Sequence, residues 1–255
     1  VLPAALRRDL HDLAARCQAR EGLADGLGIA ARSRYRAGVR ALLVGASGTG
    51  KTLACAWLAT RLGMPLYRVD LASVTSKYIG ETEKNLGELF ARAESAEVII
   101  LFDEADALFG KRTDVKDAND RFANQQTNYL LQRIEAHDGI VFLTSNSRAR
   151  FDSAFTRRLD VILDFPLPSA SERRDLWLAH LGLAHDLSVT DLNRLAASCD
   201  LAGGHIRNAC LMAAVAARAG RRPVSCDDVL RGIAAEYRKL GRQLPAGLSE
   251  RQGGG

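Results

Sequence analysis

Short apolar runs, separated by stretches with helical spacing, dominate the middle of the chain. They are Ala41–Val44, Leu66–Val69, Val98–Phe102 and Ile140–Thr144, followed by a fifth, Val161–Phe165. A strand that is apolar throughout is buried on both faces, so strands of this kind alternating with helices predict a parallel sheet with helices on both sides. Upstream, Leu6, Leu10 and Leu13 give residues 1–20 the spacing of a helix, and the glycine- and arginine-containing stretch 21–38 reads as a linker. After Pro166 and Pro168 the strand texture stops. Ser171–Leu181, Asp191–Cys199, Gly204–Ala219 and Cys226–Leu240 all predict helices, with Ser171 and Ser225 placed to start two of them. The expected organisation is an N-terminal helix and linker over 1–38, an α/β core over 39–167, a small all-helical lid over 168–241 and a flexible tail over 242–255. No internal repeat is visible.

Composition adds a few bounds. The 255 residues are 47% apolar, enough for one large domain, or a large and a small one, with a real core. A net charge of +5 is compatible with nucleotide, RNA, DNA or acidic protein and decides among none of them. Five cysteines (Cys17, Cys55, Cys199, Cys210, Cys226) form no C-x-x-C pair and no metal spacing. Their odd number, with most in helical segments, fits reduced, buried thiols and a cytoplasmic protein. No apolar run reaches the roughly 18–20 residues of a membrane span, and no signal peptide is visible. The chain starts at Val1 rather than Met, so an N-terminal region that precedes it is not excluded.

The chemistry is concentrated at strand ends. Gly45-Ala46-Ser47-Gly48-Thr49-Gly50-Lys51-Thr52 fits G-x-x-x-x-G-K-[ST], and it follows one predicted strand and opens a helix over 51–61. Glycines there let backbone N–H groups turn inward around phosphates, and the helix N-terminus adds partial positive charge. Lys51 is placed to reach the β- and γ-phosphates and Thr52 to ligate Mg²⁺, with Leu53 continuing the nucleotide-binding segment; the competing reading is a merely glycine-rich turn. Val98–Phe102 ends in Asp103 and Glu104. Asp103 suits the metal and Glu104 the attacking water, although two acids at a strand end are often only surface charges. Asn146 ends the next strand and suits a γ-phosphate or water contact, or a turn cap. Arg157 and Arg158 precede the fifth strand. Guanidinium groups neutralise transition-state charge in phosphoryl transfer, but an Arg-Arg pair is usually a solvated one. Lys77, Tyr78 and Ile79, in a polar loop beside Gly80, set an aromatic beside an aliphatic side chain, unless Tyr78 is simply a packed core residue.

In order, GASGTGKT, SKYIGETEKN, IILFDEADALFGKR, FLTSN and FDSAFTRRLD resemble the AAA+ ATPases over roughly Val39 to Leu240. Among these the resemblance is strongest to the clade of membrane-bound AAA proteases and of the katanin and spastin severing enzymes. It implies a P-loop NTPase fold, a three-layer α/β sandwich with a parallel sheet followed by a helical lid. It also implies ATP and Mg²⁺ as cofactors, a Walker A loop at 45–52, a Walker B strand at 98–104, a sensor-1 Asn146 and arginine fingers Arg157 and Arg158 acting in trans. Lys77, Tyr78 and Ile79 become a pore loop gripping an extended polypeptide, and the working state becomes a ring, usually a hexamer. Asp138-Gly139 falls near the place where relatives couple neighbouring sites. The run LFGKRTDVKDANDRFANQQTNYLLQRIEAHDGIVFLTSN further resembles single-module AAA+ proteins of phage-tail-like contractile injection systems.

Two departures from the family pattern stand out. Ala46-Ser47 replaces a frequent Pro-Pro, and His205, in Gly203-Gly204-His205-Ile206-Arg207-Asn208, stands where many relatives place a sensor-2 arginine. Arg207 would substitute only from a rotated or shifted helix. No H-e-x-x-H zinc-protease motif follows. The reading is an ATPase that remodels, unfolds or translocates proteins, with injection-system components as partners, no membrane segment, and an opening and closing of core against lid coupled to hydrolysis. The alternative is a nucleic-acid motor or loader using Arg32, Arg34, Arg36 and Arg40 as a basic strip, which lacks interleaved aromatics. A third reading, an ATP-binding switch without turnover, has no need of Glu104, Asn146, Arg157 and Arg158.

Overall fold

In the computed structural model residues 1–69, 81–106, 118–151 and 153–249 are described. By their contacts they form two compact units. One comprises Ala5–Gly45 and Lys51–Phe165. The other comprises Val1–Ala4, Ala46–Gly50 and the chain from Pro166 onward.

The first unit is built on β1 (Val39–Gly45), β2 (Leu66–Val69), β3 (Ile99–Phe102), β4 (Ile140–Ser145) and β5 (Val161–Phe165). All pairings are parallel, in the order β2-β3-β4-β1-β5. With α1 (Ala4–Ala19), α2 (Lys51–Leu62), α3 (Glu81–Ser95) and α4 (Ala118–Ala136), this is the expected α/β architecture. The three central strands are buried almost throughout, which explains their continuous apolar texture. One side of the sheet packs Leu42, Ile100, Phe102, Val141 and Leu143 against Phe90, Leu130 and Ile134. Each such side chain contributes about 1.5–3 kcal/mol by leaving water.

Two polar anchors interrupt this apolar packing. Arg40 is only 7% exposed. Its Nε donates to the Ile134 carbonyl at 3.0 Å, one terminal nitrogen to the Glu135 carbonyl at 2.9 Å, and the other to Asp160 at 3.1 Å. Asp160 also receives Arg16 of α1 at 2.5 Å. Arg40 is therefore a buried tie and not part of an exposed basic strip, which corrects its place in the nucleic-acid reading. Arg32 pairs with Asp25 at 3.4 Å and stays exposed.

The second unit contains α5 (Ala170–Leu181), α6 (Val189–Ser198), α7 (Gly203–Ala219) and α8 (Cys226–Lys239). Trp177, Leu195, Ile206, Ala213, Val229, Ile233 and Tyr237 form its core. Three of the helices open with a capping box: Ser169 with Glu172, Ser188 with Asp191, and Ser225 with Asp228. In each, a hydroxyl and a carboxylate satisfy backbone N–H groups that the first helical turn cannot, worth about 1 kcal/mol per cap. Ser225 starts its helix as expected. The other two starts move: Ser169 rather than Ser171 caps α5, and α6 begins at Val189, two residues before Asp191, because Asp191 is the carboxylate partner of Ser188.

All five cysteines are buried and stand outside any disulfide. Burial pushes the thiols of Cys17 and Cys210 up to about 12 and that of Cys199 up to about 11, since an apolar surrounding disfavours the thiolate. Among the described residues no helix is long and apolar enough to cross a membrane.

Candidate active site

The strand order places the carboxyl ends of β3, β4 and β1 side by side. Four of the residues singled out in the sequence meet there. Lys51, the first residue of α2, is 8% exposed, and its Nζ donates to the Gly45 carbonyl at 2.7 Å and to Asn146 Oδ1 at 3.0 Å. Thr52 Oγ1 donates to Asp103 Oδ1 at 3.1 Å. Burial lowers the Lys51 pKa, while the charges of Asp103, Asp106 and Glu104 act in the opposite direction. A cationic amine held beside three carboxylates, and facing a hydroxyl–carboxylate pair, is suited to bind a polyphosphate together with a hard cation.

Gly45 cannot carry a side chain. A Cβ built there would lie 2.2 Å from the Phe165 carbonyl oxygen, because β1 and β5 pair through these residues. The segment that follows, Ala46–Gly50, belongs to the second unit. Gly48 and Gly50 have φ of 79° and 99°, the left-handed region that glycine enters without cost and that lets amides turn inward. Thr49 Oγ1 closes the turn on the Ala46 carbonyl at 2.9 Å. Within the same unit the Gly204 N–H donates to the Gly48 carbonyl at 2.8 Å. Leu53 is 75% exposed.

Glu104 sits just beyond β3 with φ 54°, a conformation uncommon for a residue with a side chain. Its N–H donates to Thr144 Oγ1 at 3.0 Å, and that hydroxyl donates in turn to Asp103 Oδ1. Thr144 thus fixes both acids at once, and its buried position in β4 carries the geometry of the pair. The residue went unremarked in the sequence, although a hydroxyl late in an otherwise apolar strand is a visible signal. Arg68 is a second unanticipated neighbour: a terminal nitrogen lies 3.1 Å from Asp103 Oδ2.

The remaining site residues are not drawn together with these. Arg157 and Arg158 are exposed, and Arg158 pairs with Glu135 at 3.2 Å. Lys77, Tyr78 and Ile79 lie outside the described residues. In the second unit His205 Nδ1 is 2.9 Å from Glu236 Oε2, while Arg207, further along α7, is exposed. Thr52 Oγ1 and Asp103 Oδ1, expected as metal donors, are hard oxygens 3.1 Å apart, a spacing that fits two ligands of one small divalent cation. Among the described residues no group of three or more His, Cys, Asp or Glu could hold a metal ion on its own.

Residues 41–167 match the model of the ATPase family associated with various cellular activities, AAA, and residues 169–243 match that of the contractile injection system ATPase helical domain. The chain belongs to the AAA ATPases. Its second part is the helical domain found in ATPases of contractile injection systems. The 26S proteasome subunit RPT4 of Saccharomyces cerevisiae is 30% identical over 210 residues, covering 78% of this chain and 48% of that protein. The proteasome-activating nucleotidase of Saccharolobus solfataricus is 29% identical over 203 residues, covering 75% and 51%. This AAA ATPase therefore spans about half the length of the curated relatives it matches. The crystal structure of the FIGL-1 AAA domain superimposes with a TM-score of 0.68 at 22% identity, over 95% of this chain and 88% of that one, a likeness of fold.

Proposed function

We propose that this AAA ATPase hydrolyses ATP within a homo-oligomeric ring, a hexamer, and uses the energy to remodel, unfold or translocate protein substrates on behalf of a contractile injection system. The observation that carries the ATPase reading is the Lys51 contact to both Gly45 and Asn146, beside the Thr52–Asp103 pair. The helical-domain match supports the injection-system assignment.

The residues divide the work as follows. The backbone of Gly45 to Thr52, with Leu53 after it, holds the nucleotide, and Lys51 exchanges its present acceptors for phosphate oxygens. Thr52 Oγ1 and an Asp103 oxygen would hold Mg²⁺, which would supply positive charge to offset that of the triphosphate. Glu104 accepts the proton of the attacking water, and Asn146, freed from Lys51, orients that water or the γ-phosphate. Arg157 and Arg158 of a neighbouring copy meet the charge that builds up as the terminal phosphoryl group leaves. Lys77, Tyr78 and Ile79 grip the polypeptide. The domain roles follow the chain: core over 39–167, lid over 168–241. Buried cysteines outside any disulfide favour a cytoplasmic setting.

The test separates motor from ATPase. A Tyr78→Ala protein should keep its ATP turnover and lose processing of a bound substrate. Processing that survives intact in that variant removes the pore reading and leaves the ATPase standing.

A further inference from the structure

The end of β3 concentrates negative charge. Asp103, Glu104 and Asp106 lie within four consecutive residues, and all three act on Lys51. Lys51 Nζ donates to the Gly45 carbonyl and to Asn146, and acts on the acids through its charge. Asp103, with its side chain only 10% exposed, is engaged at both oxygens: Oδ1 accepts from Thr52 and Thr144, and Oδ2 pairs with Arg68. A carboxylate this far out of water needs a counter-charge, and Arg68 supplies one.

The sheet register explains why Arg68 can reach it. Arg68 on β2 is paired with Leu101 on β3, and Asp103 lies two residues beyond Leu101. Asp103 follows directly on Phe102, the last residue of β3, within reach of a long side chain leaning forward from the neighbouring strand. Among the described residues only β3 flanks β2 in the sheet, and the Arg68 side chain is 67% exposed, so it swings into solvent without vacating a packed position.

Asp103 is also the carboxylate that a divalent cation would use together with Thr52. A guanidinium and a doubly charged cation on one carboxylate repel each other, so the two occupants compete. We propose that Arg68 is a counter-ion latch: it neutralises Asp103 while the nucleotide site is empty and is displaced when a magnesium–nucleotide complex loads. Arg68 is then a positioning residue that sets how much free magnesium loading requires. This inference rests on the nucleotide-site reading above and is independent of whether the ring threads proteins.

The experiment is a magnesium titration. Purified full chain, without substrate protein, is held with a fixed concentration of a fluorescent ADP analogue while free Mg²⁺ is raised. The half-saturating Mg²⁺ concentration is then read for wild type, Arg68→Gln and Arg68→Lys. With the latch neutralised the midpoint should fall on the order of tenfold, the size of effect expected for one charge at close range in a partly exposed setting. Arg68→Lys, which keeps the charge, should stay near wild type. In addition, nucleotide-free Arg68→Gln should melt below wild type, because Asp103 has lost its partner. An unchanged midpoint in Arg68→Gln overturns the latch. A raised midpoint overturns it as well and makes Arg68 a nucleotide-holding residue. Wild-type protein that binds the analogue with no magnesium dependence overturns the latch together with the site reading beneath it. The last pattern is distinguishable from failure of the latch alone, in which wild type is magnesium-dependent and the variant matches it.

Discussion

Arg158 Nε lies 3.2 Å from Glu135 Oε2, an ion pair between the segment before β5 and the last turn of α4. Both side chains are about half exposed, so the pair is worth between about 0 and 1 kcal/mol and is readily surrendered. If Arg158 acts on a neighbour's nucleotide, Glu135→Ala should leave stability within about 1 kcal/mol of wild type and leave turnover intact. Arg157→Ala and Arg158→Ala should lose turnover by roughly 10³-fold, with nucleotide affinity retained. Mixing an Arg158→Ala protein with a Glu104→Gln protein should restore part of the phosphate release; mixtures as inactive as their components would rule out action in trans.

Glu104 is held in a left-handed backbone conformation and its side chain is exposed. Glu104→Gln keeps the shape and removes the base. Turnover should drop by roughly 10²–10⁴-fold, with ATP retained on the protein through gel filtration. Equal phosphate release by wild type and variant would show that the proton goes elsewhere.

Thr144 accepts from the Glu104 amide and donates to Asp103. Thr144→Val preserves shape but leaves a part-buried amide and a carboxylate each short of one partner. The expected cost is about 1–3 kcal/mol of stability, with a fall in turnover larger than any fall in nucleotide affinity. Thermal melting and a nucleotide titration separate the two effects, and a variant that binds and turns over like wild type would deny Thr144 its role.

The second unit should be acid-sensitive in a defined direction. The side chain of Asp228 is fully buried and receives Arg222, Arg231 and the Ser225 amide. The Arg222 hydrogen bond, with help from Ser225 and against the effect of burial, holds its carboxyl well below the usual range. A depressed folded-state pKa means that this stabilisation is complete above the unfolded value, about 3.9, and is lost as pH falls toward the folded one. Asp228→Asn should therefore melt below wild type at neutral pH, by on the order of 2 kcal/mol, and the gap should narrow below about pH 4. A gap that is constant with pH would mean that the charge contributes nothing.

The α/β core was readable because its strands are rich in apolar residues, with Arg40, Arg68 and Asp164 as charged exceptions: β2 and β5 match the predicted runs, and β1 extends only to Val39 and Gly45. The Lys51 and Thr52 contacts follow from motif spacing, since strand, loop and helix are consecutive in the chain. Arg68 and Thr144 were not legible as site residues. Their relation to Asp103 is created by β2 and β4 lying on either side of β3, a pairing that sequence order alone does not specify. Arg40 shows the reverse failure. Its charge suggested the surface, and only tertiary contacts to Ile134, Glu135 and Asp160 make it a buried tie. The serine starts at 169 and 188 were missed because either of two nearby polar residues can open a helix, and the choice is settled by which carboxylate sits three positions on.

The seclusion of all five thiols has a practical meaning for work on this protein. Burial pushes the thiols of Cys17, Cys55, Cys199 and Cys210 up, away from the reactive thiolate, and all five side chains are buried. A single cysteine introduced on an exposed surface would thus react with maleimide dyes or spin labels in a native background. Distances within one copy, or between copies of the chain, then become measurable without first rebuilding the cores that the native cysteines fill.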